Sequence, residues 1–142
     1  MSSFNKFNAW VQNIGNGGIV LASDTCKVML TNTLPVATNS LYADVSGVEL
    51  ASGNGYTTGG ASVTAPSYVQ TGGVALLTGT IANPTWTATG SMGPFRYAII
   101  YDSTATTPLK PLIGWWDYGS SLTLTSAQTF TLTILSGIFT LQ

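Results

Sequence analysis

The sequence has no histidine, a single cysteine and very little charge. Four of its 142 residues are Lys or Arg and five are Asp or Glu, so charged residues make up 6% of the chain and the net charge is −1. An ordinary soluble domain carries about 25% charged residues. Four scattered cations give no basic footprint for a nucleic acid, and the 44% hydrophobic content is the opposite of a disordered composition. We therefore expect a folded protein that binds no nucleic acid.

These absences also exclude most catalytic and metal-binding chemistry. Histidine is the commonest acid–base residue, and the chain has neither histidine nor a G-x-S-x-G motif. The single cysteine, Cys26, lies in an alternating stretch and is interpreted as a small buried apolar side chain rather than a reactive thiol. We expect no enzyme activity, no cofactor and no bound metal. A calcium site near Asp102 or Asp117 stays an alternative, without the loop pattern typical of such sites.

Long hydrophobic runs are missing as well. No apolar stretch approaches the ~20 residues that a membrane-spanning helix requires. The N-terminal segment lacks the apolar core and cleavage site of a signal peptide. We therefore expect a protein that is made in a cytosol and has no membrane partner.

What the chain does have is a series of short segments rich in Thr, Val, Ile and aromatic residues, separated by Gly and Pro turns such as the expected turn at Gly119-Ser120. Such a series indicates an all-β fold, an antiparallel β-sandwich or small barrel. Residues 95–102 are apolar on both faces, which predicts a central strand. The predicted strands are 25–31, 61–70, 73–82, 84–89, 95–102, 111–117, 121–125 and 128–135.

The last predicted strands alternate cleanly between apolar residues and threonine. Phe130, Leu132 and Ile134 are expected to face the core. The outward positions hold threonine where a free protein would often place Lys or Glu. We therefore expect these faces to be covered by other subunits. The threonines concerned are Thr123, Thr125, Thr129, Thr131 and Thr133.

Helix is expected in one short interior segment near residues 40–50, where Leu41, Val45 and Val48 share a helical face. Asn39 or Ser40 is the expected N-cap. Residues 4–13 carry a second helical stripe, formed by Phe4, Phe7, Trp10 and Val11. Residues 1–18 are predicted to form an N-terminal arm that docks on a neighbouring subunit, although docking on the chain's own body is the commoner arrangement. Residues 19–142 are predicted to form a single β-rich domain.

Aromatic residues supply the candidate interface. In the segment WWDY (115–118), strand alternation predicts that one tryptophan enters the core and the other points outward. An outward tryptophan beside Tyr118 would stack on a sugar or enter a subunit interface; burial of both tryptophans in a central strand is the alternative. The candidate interface residues are Phe4, Phe7, Trp10, Tyr56, Trp115, Trp116 and Tyr118.

The acidic residues offer one catalytic alternative. Asp102 and Asp117 end neighbouring predicted strands, so they would pair as the two carboxylates of a glycoside hydrolase. Aspartate is also favoured where a strand enters a turn, and we prefer that interpretation.

The order of the motifs resembles a family of small structural proteins of tailed bacteriophages. The similarity covers roughly residues 20–140, although family members often carry more charge around the first strand and the terminal hairpin. The motifs are KVMLTNT (27–33), PVATNS (35–40), AD (43–44), GNGYTTGG (53–60), WTA (86–88), FRYAIIYD (95–102), PLIG (111–114) and DYG (117–119).

The resemblance implies a virion component, most often a capsid decoration or cement protein. Such a protein is made in the host bacterial cytoplasm, binds the major capsid protein on the capsid surface and forms a homo-oligomer, with a trimer favoured. The resemblance supplies no catalytic residues. The alternative that it implies is a tail or fibre component, in which Trp115, Trp116 and Tyr118 would bind host glycans.

Overall fold

A computed structural model of the chain describes residues 3–63, 67–78, 83–134 and 140–141. The strands are β1 (Phe4–Lys6), β2 (Cys26–Thr31), β3 (Ala61–Val63), β4 (Ser67–Thr71), β5 (Val74–Thr78), β6 (Thr85–Thr87), β7 (Met92–Asp102), β8 (Leu112–Leu124), β9 (Thr129–Thr131) and β10 (Thr140–Leu141). The helices are α1 (Asn8–Gly15) and α2 (Tyr42–Val45), and a 3₁₀ turn (Ser46–Val48) follows α2. Neither helix is long and apolar enough to cross a membrane, nor is any other helix in these residues.

The strands form antiparallel sheets, and the all-β prediction is confirmed. The main sheet has five strands in the order β1-β8-β7-β2-β3, beside a sheet of order β10-β5-β4 and the pair β6-β9. The β6-β9 pair lies over one face of the main sheet, where the rings of Phe130 and Phe95 are 5.1 Å apart. This packing gives the domain its sandwich-like architecture.

Strand β7 is central and buried on both faces, as the apolar pattern of residues 95–102 predicts. Because successive residues of a strand point to opposite faces, one strand can supply both sides of the core. Ile100 packs into one apolar cluster with Val28 and Trp116. Ile99 packs into the cluster on the other face with Met29 and Trp115.

Strand β8 continues through the turn that the sequence predicts at Gly119-Ser120. The register pairs Phe95 with Leu122 and Tyr97 with Asp117, so Arg96 alone faces the four residues 118–121. Gly119 has a φ of +99°, a conformation that glycine adopts without strain. The predicted turn is therefore a bulge that pushes residues 118–121 out of the sheet without reversing the chain.

The predicted helix at 40–50 is shorter than expected. The Asp44 carboxylate accepts the amide hydrogens of Ser40 and Leu41 at 2.9 and 3.0 Å, which holds both residues outside the helix. Val45 is buried, but Val48 lies in the 3₁₀ turn and is 45% exposed. The expectation that both share one helical face is therefore wrong at Val48.

The predicted N-terminal arm is instead part of the sheet and core. Strand β1 pairs with β8, with Phe4 opposite Trp116. Helix α1 follows at once, so the chain has a second short helix that the fold prediction omitted. Phe7 and Trp10 are fully buried. Residues 3–18 therefore belong to the same domain as the strands that follow.

The remaining strand predictions hold with shorter bounds. Segment 61–70 becomes β3 and β4, and residues 64–66 between them lie outside the described residues. Segment 73–82 becomes β5, and segment 84–89 becomes β6. Segment 128–135 becomes β9, and residues 79–82 and 135 lie outside the described residues.

Candidate interaction surface

Most of the aromatic residues predicted to form an interface lie inside the folded chain. Phe4 is half-buried, and Tyr118 is 52% exposed. The buried members are Phe7, Trp10, Tyr56, Trp115 and Trp116. A partner would reach these five side chains only if the domain opened, so the interface prediction is corrected for them.

The two tryptophans point to opposite faces of β8, as alternation predicts, but neither points to solvent. The Trp115 ring lies 4.6 Å from Phe7, and the Trp116 ring lies 4.9 Å from Phe4. The N-terminal segment therefore covers both rings. The structure therefore shows burial of both tryptophans, the alternative that the sequence left open, and not an exposed tryptophan. Alternation gives a side chain's direction but not what covers it.

Tyr56 links the glycine-rich loop, residues 53–60, to strand β2 by a hydrogen bond. Its hydroxyl donates to Glu49 Oε1 at 2.6 Å and accepts the Leu30 amide hydrogen at 3.0 Å. Gly60, with a φ of +77°, lies so close to the backbone that a Cβ there would collide with the Val28 carbonyl oxygen. Gly60 therefore allows the glycine-rich loop to lie in close backbone contact with β2.

Glu49 is the centre of a polar cluster that the sequence analysis did not identify. Its carboxylate accepts hydrogen bonds from Tyr42, Tyr56 and the Gly59 amide at 2.5, 2.6 and 2.7 Å. Burial, together with the bond to Glu49, holds the pKa of Tyr42 and of Tyr56 above the ordinary value. Both phenols therefore stay neutral hydrogen-bond donors. We call Glu49 and its three donors, Tyr42, Tyr56 and Gly59, the clasp. The sequence signal that could have identified this cluster is the spacing of Glu49, which has a tyrosine seven residues before it and another seven residues after it.

Asp102 and Asp117 do not form a catalytic pair. Asp117 faces Tyr97 across the sheet, and Asp102 lies five residues further along β7, about 16 Å away at the usual strand rise. Glycosidase carboxylates lie about 5–9.5 Å apart. Asp102 Oδ1 accepts the amide hydrogens of Thr104 and Ala105 at 2.9 and 3.0 Å, which is the expected turn role.

Asp117 is engaged by Arg96 in a two-pronged ion pair, with N–O distances of 2.7 and 2.9 Å. The hydrogen bond from the Arg96 guanidinium holds the pKa of the Asp117 carboxyl below its usual value. Within the described residues, no group of three Cys, Asp or Glu side chains is placed to hold a metal ion.

Cys26 is buried, as predicted. Burial, followed by the nearby carboxylates Asp102 and Asp24, raises the pKa of its thiol to about 12. The thiol is therefore neutral at physiological pH and acts as a small apolar side chain.

The exposed side of the β6-β9 pair is a surface of threonines. The register places Thr85 opposite Thr131 and Thr87 opposite Thr129, and residues directly opposite share a face. We call these four exposed residues the threonine face. The hydroxyls of Thr85 and Thr131 are 2.9 Å apart. Trp86 is buried beneath the face.

The other outward threonines of the sequence prediction are also exposed. They are Thr123, Thr125 and Thr133. Leu132 and Ile134 are buried, and Phe130 is half-buried. The predicted inward and outward directions are therefore confirmed in this part of the chain.

Charge is separated along the chain. The nine charged residues all lie in segments 6–49 and 96–117, so segments 50–95 and 118–142 carry none. Strands β4, β5, β6, β9 and β10 fall entirely in the uncharged segments. Tyr118, at the start of the bulge, lies with its ring 6.0 Å from that of Phe130 in β9. The threonine face therefore lies wholly within the uncharged segments, and we call it the uncharged surface.

Comparisons of this chain with protein-family models, with curated proteins and with solved structures find no match.

Proposed function

We propose that this protein is a structural virion protein of a tailed bacteriophage, a capsid decoration protein that binds the major capsid protein and assembles as a homotrimer. The observation that carries the proposal is the uncharged surface: an exposed threonine face in segments that contain no charged residue. The motif order supplies the virion context. In this role the protein is not an enzyme and needs no cofactor.

The physical argument starts from the open sheet surface. A free β protein commonly places Lys, Glu or Pro on such surfaces, because charge opposes edge-to-edge association and aids solubility. The threonine face has none of these. Burying threonine in a contact removes no charge from water, so its desolvation costs less than that of Lys or Glu. A face of this kind is therefore suited to a permanent contact with other subunits.

The tail or fibre alternative depends on one side chain. Of the three residues assigned to glycan stacking, Trp115 and Trp116 are buried and Tyr118 is 52% exposed. Tyr118 follows directly on Asp117, which pairs with Arg96, so an exposed ring lies beside polar groups that can bind hydroxyls. This site would make a small glycan-binding platform at most.

Electron microscopy of virions labelled with a gold-tagged antibody against this chain tests the location. Dense labelling over the whole head is the expected result. Label confined to the tail would favour the fibre alternative over the decoration proposal. Particles without label, alongside abundant free protein in the lysate, would contradict both.

A further inference from the structure

Two acidic side chains meet at one end of the β2-β7 pair. The register places Cys26 opposite Asp102. The pairing continues one residue further, where the Ser103 amide donates to the Thr25 carbonyl at 2.9 Å. Asp24 therefore lies diagonally across from Asp102 on the same face, within reach of long side chains. The Asp24 carboxyl is within hydrogen-bonding reach of Asp102.

The two oxygens of Asp102 have different surroundings. The residue is fully buried. Its Oδ1 accepts three hydrogen bonds, from the Thr104 amide, the Thr104 hydroxyl and the Ala105 amide. Its Oδ2 has no hydrogen-bond donor among the described residues. A proton or a cation would satisfy a buried carboxylate oxygen in this position, since an ionised carboxylate can only accept.

Among the described residues, the titratable groups found beside this carboxyl are Asp24, from the turn before β2, and the thiol of Cys26. The cation in the turn after β7, Lys110, lies instead over the Tyr42 ring. Lys27 lies on the opposite face of β2 by alternation. The ion pair found among the described residues, Arg96 with Asp117, lies elsewhere. If Asp24 and Asp102 were both ionised within hydrogen-bonding reach of each other, their charges would repel at a buried site.

We propose that Asp24 and Asp102 share one proton in the folded protein, and that this carboxyl pair is a pH-dependent latch between the turn before β2 and the turn after β7. Asp102 Oδ2 carries the proton and donates it to a carboxylate oxygen of Asp24. The latch fastens a turn that is itself organised by Asp24, whose Oδ2 accepts the Val20 amide hydrogen at 2.6 Å. Loss of the proton places two like charges together and loosens this end of the domain.

The sign of the pH effect follows from which state holds the proton. Burial, and then the hydrogen bond with Asp24, raise the pKa of Asp102 above its ordinary value of 3.8. At a pH between 3.8 and the higher pKa of the folded state, the folded protein holds a proton that the unfolded chain has released. The contribution of this proton to stability is therefore largest below pH 3.8, and it falls as the pH rises through the pKa of the folded state.

Carbon-detected NMR titration of the aspartate side chains in the wild-type protein tests the proton directly. The expected result is that the Asp102 carboxyl titrates well above pH 3.8. Replacing the neighbour by Asp24→Asn should move that titration to lower pH. The matched control Asp117→Asn, far from the pair, should leave it in place. Titration of wild-type Asp102 at its ordinary value, or no change in Asp24→Asn, would overturn the proposal.

Thermal unfolding of Asp102→Asn gives a second readout. Asparagine retains an acceptor oxygen for the three Oδ1 donors and supplies a permanent N–H toward Asp24. We expect its Tm at pH 7.5 to exceed that of the wild type by about 3 °C, and the difference to vanish on acidification. A variant that is less stable than the wild type at pH 7.5 would contradict the latch. So would a wild-type Tm that rises with calcium and falls with a chelator, because a cation would then occupy the proton's place.

Discussion

Arg96 and Asp117 form a two-pronged ion pair across β7 and β8, at the base of the bulge that exposes Tyr118. Both prongs are short, at 2.7 and 2.9 Å. Asp117 Oδ1 also accepts the Gly119 amide hydrogen at 2.8 Å. One carboxylate thus joins the neighbouring strand to the backbone of the bulge, and it fixes the direction in which the bulge leaves the sheet.

Asp117→Asn should lower the Tm slightly at pH 7, because asparagine retains the oxygen for Gly119 but loses the charge that Arg96 binds. The folded pKa of Asp117 lies below its ordinary value of 3.8. The ion pair therefore stabilises the fold above that value and is lost as pH falls through the folded pKa. Thermal unfolding of both proteins from pH 7 to pH 2 measures the difference. A difference in Tm between the wild type and Asp117→Asn that grows toward acid pH would contradict a stabilising ion pair.

Tyr56→Phe should lower the free energy of unfolding by about 1–3 kcal/mol, because it leaves Glu49 Oε1 and the buried Leu30 amide short of a partner. Urea unfolding measures the change. The matched control is Tyr118→Phe, which removes the same hydroxyl from an exposed ring and should change stability by less than about 0.5 kcal/mol. Equal effects at the two positions would refute the role of the clasp.

Gly60→Ala should destabilise the fold far more than Gly17→Ala. Both glycines have a similar positive φ, +77° and +73°, so the backbone strain is matched. A Cβ at Gly60 would collide with the Val28 carbonyl, whereas nothing lies within 4 Å at Gly17. The difference in Tm between the two variants isolates the close approach of the glycine-rich loop to β2. Similar Tm values for the two variants would show that the stability of the fold does not depend on this close backbone contact.

Trp116→Ala should lower the free energy of unfolding by about 3–5 kcal/mol, because it empties a large buried site. Loss of glycan binding in this variant would therefore report unfolding. Tyr118→Ala, at an exposed ring, is the variant that tests the fibre alternative on a glycan array. Array binding by the wild type that Tyr118→Ala abolishes while its Tm is retained would favour that alternative; no wild-type binding would count against it.

Local patterns predicted the parts of the fold that depend on local physics. The two-sided apolar pattern of residues 95–102 identified β7 as central, and period-two alternation gave the directions of Thr129, Thr131 and Leu132 correctly. It could not show that Phe7 and Phe4 cover the two tryptophans, because those contacts join segments more than 100 residues apart in the sequence. Alternation sets direction, and tertiary packing decides exposure.

The Asp24–Asp102 pair escaped prediction for the same reason. Asp24 and Asp102 are brought together by the β2-β7 register, which no spacing in the sequence encodes. Helix 40–50 was placed correctly but is shorter than predicted, since Asp44 bonds backward to Ser40 and Leu41. Gly119 was predicted to lie in a turn, because glycine with a positive φ is typical of turns and of β-bulges alike.

The central claim is that other subunits cover the threonine face, and sedimentation velocity with charged variants tests it most directly. Thr131→Lys places a charge on the threonine face, opposite Thr85. Thr33→Lys makes the same change at an exposed position in the charged part of the chain. We predict that the wild type and Thr33→Lys sediment as trimers and that Thr131→Lys sediments as a monomer with an unchanged Tm. A wild type that stays monomeric at every concentration, or a Thr131→Lys protein that assembles like the wild type, would contradict the claim.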